Sequence, residues 1–315
     1  MEEATIVIEP VETLEVTVTP RRNSRLRQIR AQIPFLLPAL VIFTAFVIYP
    51  ILGSLYYGLT DWDGLSPDLH FVGLSNFQQL LSDPSVFTDL KNTLIFAAGV
   101  MVLQNGMALL LAIILDGFLR RLAFLRVLFL IPAMFSALAI GYTWSYIYNP
   151  EFGFLNTLLS KIGLSALQQD WLGNPHLTLA SLIVTNSWEF MGLGMVIFLA
   201  GLQAVPTELY EVANIDGASG WQRFRHITFP LIAPAVTINV VLTLIGSMKT
   251  FDLIFVMTNG GPGDTSESLA LRIYTEAFTL NHFGYATAVG IILTLFILGL
   301  SVINLRFLRK REVEF

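Results

Sequence analysis

Uncharged apolar blocks alternate with polar connections along this chain, and the block lengths are helical rather than strand-like. No side chain from residue 31 to 60 is charged. That exceeds the roughly 20 residues a membrane-crossing helix needs. Five more blocks follow, so the pattern predicts an all-α integral membrane protein with six transmembrane helices, at about 33–59, 92–115, 127–148, 177–203, 231–258 and 283–305. Pro34, Pro38 and Pro50 should bend the first or mark its ends. Tyr49, Tyr56, Tyr57 and Trp62 suit an aromatic belt at its far end. Residues 1–30 form a polar tail whose acidic first part is too short to bury a core and is expected to be disordered.

Between the fourth and fifth blocks lies the segment 204–230, AVPTELYEVANIDGASGWQRFRHITFP. It reads as a helix–turn–helix. Pro206 ends what precedes, and Thr207 is placed to N-cap a short helix with Glu208 in its first turn. Asp216-Gly217 is a turn pair. Ser219 and Gln222 have the spacing of a capping box that opens a second helix, with Trp221, Phe224 and Ile227 on one face and Pro230 closing it.

Charge orients this pattern. Only 13% of residues are charged, about half the usual share for a soluble domain. Fourteen of the 18 Lys and Arg residues flank one set of block ends: five in the tail, Arg120, Arg121 and Arg126, Arg223 and Arg225, and the C-terminal four. Lys91, Lys161 and Arg272 flank the other set. The positive-inside bias therefore places both termini and the 204–230 segment in the cytoplasm. The first apolar run is too long for a signal-peptide core and reads as a retained span.

Several chemistries are not written in the sequence. There is no Cys, hence no disulfide framework, Cys-bound zinc or thiol nucleophile. The Gly-rich GGPGDTS at 260–266 lacks the Gly-Lys-Ser/Thr ending of a phosphate-binding loop. Gly192 and Gly194 lie inside a span, where close helix packing is the expected role. His70, His176, His226 and His282 have no metal-ligand spacing. No internal duplication is evident, so the chain reads as neither an enzyme nor an obvious inverted-repeat carrier.

Three ionisable residues fall inside spans: Glu189, Lys249 and Asp252. Such groups are costly and usually face a bundle interior or water. Lys249 and Asp252, three apart, can share a helical face and pair, either simply neutralising each other or lining a pathway. Asn186 precedes Glu189 by three. Gln104, Asn105 and Asn239 are at depth, where interhelical hydrogen bonds are the usual role.

Glu211-Val212-Ala213, three residues, Gly217, nine residues and Ile227-Thr228-Phe229-Pro230 resemble the EAA loop of permease subunits of bacterial binding-protein-dependent ABC importers. Val212 and Phe229 stand where that family has Ala and Leu. Residues from about 34 to the end are similar to permeases of the carbohydrate-uptake (maltose and multiple-sugar) type, including FLLPALVIFTAFVIYPILGSLYYGLTDWDG and MKTFDLIFVMTNGGPGDTSESLALRIYTEAF. The resemblance implies a non-catalytic subunit in a bacterial or archaeal cytoplasmic membrane. It implies a cytoplasmic coupling helix between the fourth and fifth spans, with Glu208, Glu211, Val212, Ala213, Asp216, Gly217, Ala218, Ile227 and Pro230 at the ATPase contact. Its implied partners are a second, related permease (a heterodimer is expected), two ABC ATPase subunits that bind ATP and Mg, an extracytoplasmic solute-binding protein, a sugar and membrane lipid, with no nucleic acid. By position, Asn186, Glu189, Asn239, Lys249, Phe251 and Asp252 become the candidate sugar pathway. The alternatives are a permease for glycerol phosphate or a polyol, and an ion-coupled secondary transporter.

Overall fold

The computed structural model describes residues 24–117 and 124–310. The acidic part of the tail, together with Arg21, Arg22, Arg120, Arg121 and Arg311, lies outside the described residues. The protein is all α, multi-pass and membrane-embedded. Among the described residues four helices are long and apolar enough to cross a membrane: Pro34–Tyr57, Pro84–Gly117, Thr178–Gln203 and Phe283–Arg309. A fifth candidate, Gly220–Leu231 plus Ala233–Met248, is bent by 67°.

Residues 1–53 form one unit and 54–315 another. The first holds α1 (Ser24–Phe43), a π-helical stretch at Thr44–Ile48 and the start of α2 (Tyr49–Tyr57). α1 takes in residues 24–30 of the expected tail, because Arg, Gln and Leu there are good helix formers adjoining an apolar helix. Pro34 and Pro38 lie inside α1 without ending it. Pro50 follows the π stretch. Proline lacks an N–H and its ring crowds the carbonyl four residues back; a widened turn relieves both.

The second unit continues with α3 (Ser75–Ser82), α4 (Pro84–Gly117), α5 (Phe124–Leu130), α6 (Ala137–Ile147), α7 (Phe154–Lys161) and α8 (Thr178–Gln203). The third apolar block, expected as one rod, is two short helices. Pro132 opens a 3₁₀ turn at Pro132–Met134, and Ser136 then caps α6 by accepting from the Ala139 N–H. After α9 (Thr207–Ile215) come α10 (Gly220–Arg223), a π stretch (Phe224–Thr228) and α11 (Phe229–Leu231). α12 (Ala233–Met248), α13 (Asp252–Met257), α14 (Leu269–Tyr274) and α15 (Phe283–Arg309) complete the chain.

α4 and α8 pack along each other, and α12 joins both. Near the end of α4 and α8, Ala112, Leu115, Phe198, Leu202 and Ile232 form one apolar cluster. At the opposite end, Leu80, Val86, Met248, Leu269 and Tyr285 form another. Between them Phe96, Val100, Ile140, Leu182 and Ile254 fill a third. The 204–230 segment thus leaves from the end where α4 finishes, and residues 61–83 and 258–282 lie at the other. Gly192 lets α8 approach α5: a Cβ there would meet the Phe129 carbonyl oxygen. This is the close packing expected of that glycine.

The end that carries α14 is closed by an ionic knot the sequence reading missed. Arg272 pairs through Nε with Asp89 of α4, whose carboxylate is fully buried, and lies 3.7 Å from Glu267 and 3.6 Å from Glu276. Glu276 also contacts His282 Nδ1 at 3.0 Å. Asn92 donates to the Asp264 and Glu267 carbonyls, and the Leu269 N–H donates to Thr93 Oγ1. Burial, reinforced by Asp89 and opposed by Arg272, pushes the Glu267 carboxyl up to about 7.

Candidate functional site

The 204–230 segment folds as a helix–turn–helix. α9 carries Glu208 in its first turn, but Thr207 is its first residue, not its cap; Pro206 occupies the cap position without a side-chain bond. α9 ends in a Schellman closure. Gly217 adopts φ 71°, its N–H donates to the Asn214 carbonyl, and the Ala218 N–H donates to the Ala213 carbonyl. The Ser219–Gln222 capping box is present, with Ser219 N–H donating to Gln222 Oε1 at 2.7 Å. Pro230 does not close the second helix. The preceding π stretch absorbs the ring, the helix runs to Leu231, and the sharp bend falls at Ile232.

Two bonds clamp the pair: Tyr210 to Thr228 at 3.0 Å, and Arg223 donating to Asn214 Oδ1. Ala213 is buried, while Ala218, Ile227 and Pro230 are half-buried. Glu208, Glu211, Val212, Asp216 and Gly217 stay exposed. Ile215, which the sequence reading did not single out, is 86% exposed, and Trp221, itself 66% exposed, stacks on Phe224.

All six pathway candidates line one cavity of about 350 Å³. Asn186 and Glu189 come from α8, Asn239 from α12, and Lys249, Phe251 and Asp252 from the segment after it. Lys249 and Asp252 do not share a helical face. α12 stops at Met248 and α13 starts at Asp252, so the three residues between are non-helical. Gly246 weakens the last turn, and Thr250 Oγ1 donates back to the Gly246 carbonyl instead of extending the helix. Among the described residues neither forms an ion pair. Non-helical backbone inside a membrane is tolerated where it lines a cavity, and residues 249–251 line one.

Glu189 is 3% exposed and has no hydrogen-bond or ion-pair partner among the described residues. Phe251 stacks on Phe255 and packs against Tyr274, forming an aromatic wall. The interhelical bonds expected of the deep amides are made. Asn239 Nδ2 donates to the Gly194 carbonyl at 3.0 Å, and Gln104 and Asn105 both donate to Thr243 Oγ1. Asn105 does not line the cavity, whereas Gln104, Thr243, Ser247 and Thr250, not proposed from sequence, do. A signal existed: 186, 189, 190, 193, 194 and 197 on α8, and 239, 242, 243, 246, 247 and 250 on and after α12, each follow helical spacing.

Residues 104–313 match the family described as the binding-protein-dependent transport system inner membrane component. A protein of Pyrococcus horikoshii named as a probable ABC transporter permease is 38% identical over 83% of this chain and 89% of its own length. The trehalose/maltose transport system permease MalF of Thermococcus litoralis is 32% identical over 92% of this chain and 98% of its own. A chain from the crystal structure of a bacterial ABC transporter that imports the acidic polysaccharide alginate shares the fold, with TM-score 0.77 at 23% identity over 91% of this chain and 97% of that one. With two thirds of its length matched by the family pattern and relatives aligned almost end to end, this chain belongs to the inner membrane components of binding-protein-dependent ABC importers, as a permease subunit.

Proposed function

We propose that this permease translocates a sugar, mono- or oligosaccharide, across a bacterial or archaeal cytoplasmic membrane. ATP hydrolysis belongs to two separate ABC ATPase subunits, a second related permease completes the pathway, and an extracytoplasmic binding protein delivers the solute. The observation that carries the sugar reading is the cavity: Asn186 and Glu189 of α8 line it together with Phe251, which belongs to an aromatic cluster with Phe255 and Tyr274. Sugars present hydroxyl edges and apolar ring faces, and sites of this composition suit both.

The chain makes six crossings in this reading, although among the described residues four helices, or five with the bent pair taken as one span, qualify by length and composition. What supports the additional crossing is that α5 packs in the cluster by the end of α8, while α6 packs in the middle one. The positive-inside bias puts α9 and α10 in the cytoplasm with both termini. There α9 is the coupling helix: Ile215 and Val212 enter an ATPase groove, Glu208, Glu211 and Asp216 flank them, and Ala213 and Ala218 keep the turn compact. The bend at Ile232 links this lever to α12, so ATPase closure turns the helix that borders the cavity.

The test is uptake of labelled oligosaccharides into proteoliposomes holding the assembled complex. The expected result is accumulation that requires ATP and the binding protein and survives collapse of ion gradients. Uptake by this chain alone, driven by an ion gradient, would support the carrier alternative instead.

A further inference from the structure

The polar groups around the cavity are unevenly committed. Asn239 Nδ2 is spent on the Gly194 carbonyl, Gln104 Nε2 on Phe190 and Thr243, Ser247 Oγ on the Leu244 carbonyl, and Thr250 Oγ1 on the Gly246 carbonyl. These donors face protein. The buried Glu189 carboxylate and the exposed Asp252 carboxylate have no hydrogen-bond donor or cation paired with them among the described residues, and the Asn186 amide and Lys249 ammonium are unpaired there as well. Ionised carboxylates only accept hydrogen bonds. Two carboxylates against Lys249 leave the lining net negative when all three are ionised. The C-terminal end of α12 and the N-terminal end of α13 meet at this stretch, so their opposite dipole ends offset each other and the side-chain charges decide the sign.

We propose that this cavity admits uncharged, hydroxyl-rich solutes as hydrogen-bond donors and excludes anionic ones, with Glu189 as the specificity-determining residue. The inference rests on the reading of the cavity as the translocation pathway. A sugar hydroxyl gives Glu189 the partner it lacks inside the protein. A uronate or phosphate meets two carboxylates, Glu189 and Asp252, against Lys249 as the one cationic side chain on the lining among the described residues.

The absence of native Cys makes the potential in the cavity measurable. In the assembled complex, Thr250→Cys is reacted with a cationic and an anionic methanethiosulfonate reagent, and the rate ratio is read on this chain by mass. The expected result is a cation preference of about tenfold or more, the low end for a charged cleft that focuses its field, falling several-fold when Glu189→Gln is added. A ratio set only by the reagents' intrinsic reactivities, or one unchanged by Glu189→Gln, would overturn the proposal. The same labelling repeated with ATP and orthovanadate tests the underlying reading separately. Rates that ignore the nucleotide state would remove the cavity from the pathway, whatever its charge.

Discussion

Gly217→Val is expected to reduce ATP-driven uptake to about a tenth or less, while Gly217→Asn keeps most of it. Gly217 sits at φ 71°, where a side chain costs roughly 1–2 kcal/mol, and more for a β-branched one; about 1.4 kcal/mol is a tenfold change in an equilibrium. No heavy atom lies within 4 Å of a Cβ built there, so the effect is conformational rather than a clash. Losing the left-handed turn breaks the bond from the Ala218 N–H to the Ala213 carbonyl and swings α9 away from α10. Asparagine tolerates that conformation and separates this cause from loss of a contact. Uptake measured beside the ATPase activity of the complex checks it: the Val variant should hydrolyse ATP without transport. Equal uptake by the Val variant would show that the turn geometry does not matter.

Arg272→Met is expected to destabilise the chain by about 3–5 kcal/mol, the cost of stranding a buried charge. Asp89 is wholly buried and its Oδ1 already lacks a partner, so Arg272 is the group that makes its charge tolerable. The double variant Asp89→Leu with Arg272→Met should recover most of the loss, because apolar replacement of both partners of a buried pair is often neutral. Thermal inactivation of the purified complex measures this. A single variant as stable as the wild type would mean that the knot is decorative.

How much of this was legible beforehand follows the range of each interaction. The helix–turn–helix was readable because its signals are local: the Ser219–Gln222 box and the Gly217 turn act within a few residues. Pro230 misled because a π stretch absorbs its ring, and nothing in the sequence distinguishes an absorbed proline from a terminal one. The break after Met248 was hidden for a related reason. Residues 249–251 contain no Pro or Gly to mark an end, and only the cavity beside them makes an open turn tolerable. Asp89 and Arg272 lie 183 residues apart, so no periodicity can join them. The cavity was half visible: the ionisable residues stood out by their cost in a span, whereas Thr243, Ser247 and Thr250 look ordinary until α8 and α12 face each other.

Force entering the permease through the tip of α9 is the claim on which the mechanism stands. It is tested most directly by a single cysteine at the exposed Ile215, Ile215→Cys, in this otherwise Cys-free chain, cross-linked within the assembled importer. The account predicts one product, joined to the ATPase subunit, with a yield that changes when ATP is bound. Labelling of that cysteine from the extracytoplasmic side, or a cross-link to any subunit except the ATPase, would contradict it.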